Sequence, residues 1–433
     1  MKEQSRSPIQ LYLTLPILAW ALFDFANTIF SANIVTLFFP QYITETVGTD
    51  PRLEQIASTI IAYANAVSAV LLILFSPLYG VTMDRTGRRK KYVMIFTLMC
   101  VAATIMMGIF GGMDSGTWFH LPNGLVLTIL LFVFAKFCFS SGNVFYDGML
   151  SGLGTKHEIP LISGFGVALG YLGTLFGIFT VLLVIGDSPT HHTFWLSGIL
   201  FLVFALPIFL VNKDRKTPPK PKQPFLKGYK DIYRTFREAR QYPSIFFFMI
   251  AYFFVNDALA TAIAMMQPYA TTIVGFEPGA FLVIFMVATA FSIIGAIVFS
   301  FINRRIGSKK TFLSIAILLA AAILIAAVPL PMWTFWIAAC LFGIAMGSTW
   351  VVSRTMIIEL APAGREGQFF GLFAFSAKMS AIMGPFIYGS ITLLLADYGT
   401  IASRMAITSL MIMIMIGIFF HMKVRETPPG TVE

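Results

Sequence analysis

The chain has 433 residues, of which 57% are apolar and only 12% are charged. A soluble domain carries roughly twice that charged fraction, so the composition excludes a soluble globular protein. The net charge of +10 does not indicate nucleic-acid binding, because the basic residues fall in alternate connecting segments, as membrane topology requires.

Hydropathy predicts twelve membrane-spanning helices, because twelve apolar runs each reach the length of about 20 residues that crosses the hydrocarbon core. A transmembrane β-barrel would instead show short segments of alternating polarity. The pattern therefore predicts an all-α membrane protein with two six-helix bundles. The predicted spans are 15–43, 55–83, 91–112, 122–150, 159–186, 193–212, 244–273, 279–302, 310–329, 332–359, 366–395 and 400–422.

One long polar segment separates the sixth span from the seventh. It divides the chain into an N-terminal bundle (1–212), a basic cytoplasmic linker (213–243) and a C-terminal bundle (244–433). Lys and Arg are concentrated in the loops after even-numbered spans, with Arg52 as the clearest exception, so both termini are predicted to be cytoplasmic. The linker's apolar residues recur at helical spacing, which predicts an amphipathic helix on the inner leaflet; a solvated connection without further function is the alternative. These residues are Phe225, Leu226, Tyr229, Ile232, Tyr233 and Phe236.

A short basic motif follows the second span. Its glycines permit a close helix approach and a tight turn, and its charges can pair with helix ends and anionic lipid head groups. The motif consists of Gly80, Asp84, Arg85, Gly87, Arg88 and Arg89, followed by Lys90. It resembles the loop signature of the major facilitator superfamily, which implies the role of a conformational latch. A degraded second copy follows the eighth span, with Arg304 where Asp84 would be.

Longer segments resemble the branch of that superfamily related to the fungal vacuolar amino-acid effluxers (autophagy-related permease-like) and their bacterial relatives. These segments are WALFDFANTIFSANIVTLFFPQYI, ISGFGVALGYLGTLFG, AYFFVNDALATAIAMMQPYA and SRTMIIELAPAGREGQFFGLFAFSAKMSAIMGP. The resemblance implies solute transport, with amino acids as the leading substrate class. Two charged residues depart from the expected pattern, Asp147 in span four and Lys378 in span eleven. Lys378 is assigned to the gate, with simple snorkelling as its alternative.

Polar residues form stripes on three spans, although charged groups in hydrocarbon are costly and mark functional sites by default. Span four carries Lys136, Ser140, Asn143 and Asp147 on one helical face. Span one carries Asp24, Asn27 and Ser31, and span seven carries Asn256 and Gln267, with Asp257 and Thr261 beside them. The resemblance implies that spans one, four, seven and ten line a central cavity. The stripes therefore predict a cavity for a solute or a proton.

Counting about 1.5 Å per residue separates these charges by depth. Lys136 and Asp257 fall near mid-bilayer and, with Asp24, are the preferred solute candidates. For Lys136, a purely structural salt bridge to Asp24 is the alternative. Three charged residues fall nearer the cytoplasm and predict an inner gate, with a direct solute role as the alternative: Asp147, Arg354 and Glu359.

These patterns predict a secondary active transporter that moves a small organic solute, an amino acid or a similar zwitterion, by alternating access. Protons are favoured as the coupling ion because Asp24, Asp147 and Asp257 are buried carboxylates. The protein is expected to be a monomer in a bacterial inner membrane, to contact anionic lipids at its basic loops, and to need no cofactor, metal or nucleic acid. An enzyme is not expected, because the sequence has no catalytic or nucleotide-binding motif. An amphiphilic or drug-like substrate, or a non-transporting transceptor with the same fold, remains an alternative.

Overall fold

The protein is described by a computed structural model that covers residues 7–47, 51–113, 116–118, 121–186, 188–214, 242–362, 364–398 and 400–425. Helices dominate these residues. This follows from the apolar composition, because a backbone inside a bilayer satisfies its N–H and C=O groups only in a helix or a closed barrel.

Eight α-helices precede the linker in the described chain. The first span is composite: α2 (Leu15–Ile29) continues through a π-helix (Phe30–Phe38) into α3 (Phe39–Val47). The others are α1 (Pro8–Tyr12), α4 (Pro51–Thr86), α5 (Arg89–Phe110), α6 (Asn123–Met149), α7 (Ile159–Ile185) and α8 (His192–Val211). A 3₁₀ turn (Leu150–Gly152) follows α6, and β1 (Thr117–Trp118) pairs antiparallel with β2 (Leu121–Pro122) before it.

Six further α-helices follow the linker among the described residues. They are α9 (Pro243–Tyr269), α10 (Pro278–Ile306), α11 (Ser308–Ala327), α12 (Trp333–Leu360), α13 (Glu366–Leu394) and α14 (Thr400–Met422). A π-helix (Ala270–Val274) extends α9, and a 3₁₀ turn (Ala396–Tyr398) precedes α14.

Eleven helical segments of the described chain are long and apolar enough to cross a membrane. A further segment, within α4, is bent by 43° between Ser76 and Leu78 and makes the twelfth when it is counted as one span. Pro77 lies at this bend. Proline donates no backbone hydrogen bond and is a usual cause of a helix kink. The all-α fold with many spans, predicted from hydropathy, is confirmed.

The chain divides into two compact units. Unit 1 contains Met1–Leu153 and Leu169–Pro221, and unit 2 contains Gly154–Ala168 and Lys222–Glu433. The first ten residues of α7 therefore belong to unit 2 and the rest of that helix to unit 1. The predicted division at the linker stays a prediction, and the predicted amphipathic helix at 225–236 lies outside the described residues.

Glycines allow helices to approach closely within each unit. In unit 1, a Cβ on Gly173 would lie 2.3 Å from the carbonyl oxygen of Phe25, so α7 packs directly on the backbone of α2. In unit 2, a Cβ on Gly347 would lie 2.1 Å from the carbonyl oxygen of Ser292, so α12 packs on α10 in the same way. Such small-residue contacts are the usual way in which membrane helices gain packing. In unit 1, this contact fixes α2, which carries one of the polar stripes.

Candidate transport site

The polar stripes of the first and fourth spans meet inside unit 1. Asn27 on α2 donates from Nδ2 to Oδ1 of Asn143 on α6. Asn27 is buried and Asn143 is half-buried. Two residues that the sequence assigned to one cavity are therefore in direct contact.

Two aromatic residues fix the same pair of helices. The rings of Trp20 and Tyr146 stack with centroids 4.7 Å apart. Nε1 of Trp20 donates to the carbonyl oxygen of Tyr146 at 3.3 Å, and the hydroxyl of Tyr146 donates to the carbonyl oxygen of Trp20 at 3.1 Å. This reciprocal arrangement holds α2 and α6 in one register.

Lys136 has an amide partner that sequence reasoning missed. Its Nζ donates to Oδ1 of Asn65 on α4. Nδ2 of Asn65 donates to the carbonyl oxygen of Ile61 at 2.8 Å, which turns Oδ1 toward the lysine. The available signal was an amide in the otherwise apolar stretch IIAYANAVSAV. The contact adds α4 to the predicted site.

Asp24 lies in unit 1 between α2 and α7. It is 5% exposed, and a Cβ on Gly170 would lie 3.6 Å from its Cγ. Ser140, on the stripe of α6, is buried as well.

The α-helical register predicted for the rest of the first span is wrong. Residues 30–38 form a π-helix, after which the backbone N–H of Phe39 donates to the carbonyl oxygen of Ile34 five residues earlier. Oγ1 of Thr36 also donates to the carbonyl oxygen of Ser31 at 3.1 Å. The wider turns change the face that each following residue presents, and Ser31 is half-buried. Asn33, which an α-helical register places opposite Asp24, is fully buried instead. Its Nδ2 donates to the carbonyl oxygen of Gly177 at 3.1 Å and to Oγ of Ser197 at 3.2 Å.

In unit 2, the polar residues of α9 contact α13. Nδ2 of Asn256 donates to Oγ of Ser380 at 2.8 Å and to the carbonyl oxygen of Ala377 at 3.4 Å, while Tyr252 donates its hydroxyl to Oδ1 of Asn256 at 3.0 Å. Asp257 is fully buried and accepts the backbone N–H of Gly384 on Oδ1 at 2.9 Å. Thr261 is buried beside it, and the side chain of Gln267 lies outside the described ones.

The basic motif joins helix ends within unit 1. Gly87 has φ 65° and donates its N–H to the carbonyl oxygen of Met83 at 2.9 Å, which ends α4 in a conformation that favours glycine. The buried Arg89 donates from Nη1 to the carbonyl oxygen of Gly148, at the end of α6, and to Oγ of Ser151 at 2.7 Å. A cation at this position interacts favourably with the negative end of a helix.

The same loop contacts the end of the sixth span. The backbone N–H of Lys90 donates to Oδ1 of Asp214 at 2.7 Å, so a carboxylate lies at the N-terminus of α5. Asp214 was missed, although an acid directly after span six was a visible signal. The other members of the motif differ in exposure: Gly80 is buried, Asp84 and Arg85 are half-buried, and Arg88 is exposed.

The proposed gate residues occupy several helices. Arg354 is buried in α12, and Glu359 lies beside Ser308 and Lys156 in unit 2. Asp147 on α6 and Lys378 on α13 are half-buried. Their gate role stays a prediction.

Comparison with known proteins identifies the family. The family model described as "Vacuole effluxer Atg22 like" matches residues 16–427. The chain belongs to this Atg22-like family.

Relatives of this Atg22-like protein occur in bacteria and fungi. It is 26% identical over 412 residues to an MFS-type transporter, YxiO, of Bacillus subtilis (strain 168), and the match covers 92% of each chain. It is 29% identical over 263 residues to autophagy-related protein 22-2 of Aspergillus clavatus, covering 53% of this chain and 43% of that protein. The match thus spans less than half the length of this fungal relative.

Solved structures show the same fold. A bacterial homologue of the iron transporter ferroportin, in an outward-facing state, matches with a TM-score of 0.70 at 15% identity, covering 97% of this chain and 99% of that one. The transporter FucP in the outward conformation matches with a TM-score of 0.70 at 14% identity, covering 96% of this chain and 100% of that one. The Atg22-like protein therefore has the major facilitator fold and, with its relatives, is an MFS-type transporter.

Unit 2 of the Atg22-like protein also contains an apolar cavity of about 70 Å³. Helices α9 to α12 line it, and the hydroxyl of Thr289 is the polar exception among its lining residues. The principal lining residues are Ile263, Met266, Phe285, Ala288, Phe335 and Phe342. Across the described part of the chain, no group of three or more His, Cys, Asp or Glu residues is arranged to hold a metal ion.

Proposed function

We propose that this Atg22-like protein is a secondary active transporter for a small zwitterionic solute, with amino acids as the leading class, and that it works by proton-driven alternating access. The polar interior of unit 1 carries the proposal. There an ammonium group, a carboxylate and several amides lie within apolar spans. Groups of this kind are costly in hydrocarbon and are retained where they bind a solute or an ion.

The chemistry of these groups complements a zwitterion. The amide of Asn65 accepts a hydrogen bond from Lys136 and so orients its ammonium group, which suits a carboxylate. Asp24, on the neighbouring α2, suits an ammonium group. The amides of Asn27 and Asn143 can exchange their mutual hydrogen bond for bonds to a polar solute.

The wider proposal places the protein in a bacterial inner membrane as a monomer with cytoplasmic termini. The basic motif acts as the conformational latch, and its exposed Arg88 is available to anionic lipid head groups. No enzymatic activity is proposed, because the relatives are transporters.

A ligand series tests the zwitterion site. Purified protein is first screened by thermal shift against the standard amino acids, since binding raises apparent stability. Calorimetry then compares the best binder with its decarboxylated amine and its deaminated acid. Lys136→Ala is expected to weaken the amino acid and the acid about ten- to a hundredfold while sparing the amine, and Asp24→Asn to spare the acid, because each loses one charge-assisted hydrogen bond.

Lys423→Ala is the matched control, because this exposed lysine at the end of α14 lies away from the polar interior. Equal losses for all three ligands in both variants, together with lower thermal stability, would indicate a structural pair instead of a solute site.

An amphiphilic substrate is the second candidate, and the apolar cavity in unit 2 favours it. Hydrophobic ligands are usually bound in pockets with few polar groups. If alkylammonium compounds raise the melting temperature more with each added methylene while amino acids have no effect, this candidate replaces the first. Tight binding without flux in proteoliposomes would point to a transceptor.

A further inference from the structure

The carboxylate of Asp257 is placed against one backbone position of another helix. Oδ1 accepts the N–H of Gly384 at 2.9 Å, and the residue has no exposed surface. Its Oδ2 is buried and accepts no hydrogen bond from the described residues. In this conformation the carboxylate contacts α13 and has no surface exposed to solvent.

The contacted turn of α13 is short of backbone hydrogen bonds. Pro385 has no N–H, so the carbonyl four residues earlier lacks its helical donor. The preceding N–H, that of Gly384, is directed to Asp257 on α9. The side chain of Asp257 on α9 therefore binds the turn of α13 that lacks a backbone hydrogen bond because of Pro385.

Position 384 must be glycine for this contact. A Cβ there would lie 1.9 Å from Oγ1 of Thr261 and 2.6 Å from Oδ1 of Asp257. Asn256, the preceding residue on α9, bonds to Ser380, which lies one turn before Gly384 on α13, so the two helices are joined at two successive levels.

The surroundings of Asp257 are neutral. Thr261 and the amide of Gly384 face it, and no described charged side chain acts on it. On α13, Lys378 stands six residues before Gly384, about 9 Å along the helix, and Tyr388 stands four residues after it. On α14, which packs on the same part of α9, Gly417 contacts the apolar Val255. Proton binding at Asp257 therefore changes the charge of this region by one, and among the described residues no cation acts on the carboxylate.

We propose that Asp257 is the proton-binding site of the carrier and that the proton controls the bend of α13 at Gly384–Pro385. This inference rests on the proposed proton-driven transport. The ionised carboxylate is a strong acceptor for the Gly384 amide, and a proton on Oδ2 weakens that acceptor. The turn of α13 at Gly384–Pro385 is then free to bend. Because the carboxylate is enclosed in this conformation, the proton enters and leaves only after α13 has moved.

Infrared difference spectroscopy tests proton binding without a known substrate. The full-length protein in lipid nanodiscs is titrated with pH, and the carbonyl stretch of a protonated buried carboxyl group is recorded. Wild type is expected to show this band, Asp257→Asn to lose it, and the control Asp24→Asn to keep it. A band that survives Asp257→Asn, or its absence from wild type, would overturn the proposal.

A second variant covers the case in which Asp257→Asn fails to fold. Thr261→Val leaves the carboxyl group of Asp257 in place and keeps the volume of residue 261, but it removes the hydroxyl group beside the carboxyl group. The infrared band is therefore expected to change frequency, and an unchanged frequency contradicts the assignment. Hydrogen exchange tests the bend. The α13 peptide containing Gly384, corrected for intrinsic rates, is expected to exchange faster as the band appears in wild type, and equal exchange in both states rejects the hinge.

Flux measurements separate this inference from the proposed function. If a pH gradient drives uptake in wild type and still does so in Asp257→Asn, transport is proton-coupled and the site is wrong. If the band behaves as expected but no pH gradient drives uptake of any amino acid, the site is right and the proposed function is wrong.

Discussion

The polar interiors of the two units are built differently. In unit 1, the residues of the proposed solute site bond to other side chains, as in Asn27 with Asn143 and Lys136 with Asn65. In unit 2, Asn256 also bonds to a side chain, that of Ser380, but the carboxylate of Asp257 bonds to a backbone amide. Side-chain partners can turn toward a solute, whereas a backbone amide stays with its helix. The difference favours solute binding in unit 1 and control of helix shape in unit 2.

The strongest test of this comparison is Gly384→Ala. The new methyl group overlaps Thr261 and Asp257 and breaks a buried charge-assisted hydrogen bond. We expect a loss of about 3 kcal/mol in unfolding free energy, measured by denaturant titration in detergent.

Gly389→Ala is the matched control on the same helix, because nothing lies within 4 Å of its added Cβ. We expect a change within about 0.5 kcal/mol. Similar losses in both variants would mean that α13 is sensitive throughout and that the Asp257 contact has no special role.

The next effect concerns the side-chain pair of unit 1. A double-mutant cycle with Lys136→Met and Asn65→Leu is expected to give a coupling energy of about 1–2 kcal/mol, since each single change removes the bond between two half-buried polar groups. Thermal or denaturant unfolding of the four proteins gives this value. A coupling near zero would place Lys136 outside a defined contact and weaken the case for an oriented ammonium group.

A smaller loss of stability is expected in unit 1 when a hydrogen bond from a side chain to a backbone carbonyl oxygen is removed. Tyr146→Phe removes the hydrogen bond to the carbonyl oxygen of Trp20 but keeps the stacked ring. We expect a loss of about 1 kcal/mol in unfolding free energy. Tyr63→Phe, at an exposed position of α4, is the control and should have no effect. A loss far above this value would show that unit 1 depends on backbone contacts as unit 2 does.

Much of the fold follows from the sequence because hydropathy reports span length directly. The stripe on α6 and the residues of α2 before the π-helix were also predictable, since helical spacing places Asn27 on the face of Asp24 and Asn143 on the face of Lys136, and the family resemblance implies that both spans line one cavity. The register after residue 29 was not predictable from an α-helical period, so the buried role of Asn33 was missed.

Partner residues on other helices were the hardest to predict. The sequence around Asn65, Ser380 and Gly384 does not indicate their partners, and only the tertiary arrangement brings them to Lys136, Asn256 and Asp257. The sequence at the end of a span does not indicate which loop it contacts. The contact of Asp214 with the backbone of Lys90 is an example.

The smallest expected effect concerns His191 in unit 1, which is a second source of pH dependence besides Asp257 in unit 2. His191 precedes α8 in unit 1, outside the spans, with its ring centroid 4.4 Å from that of His192. Burial and the neighbouring histidine lower the pKa of His191 below its ordinary value of 6.5. The unfolded chain therefore binds this proton more readily than the folded protein, so His191's contribution to stability is full above about pH 6.5 and is lost as the pH falls. His191→Gln is expected to flatten the pH dependence of the melting temperature below pH 6.5 slightly and to leave the infrared band of Asp257 unchanged. If the band disappears with His191→Gln, the protonation of Asp257 depends on His191, and the two sources of pH dependence are not separate.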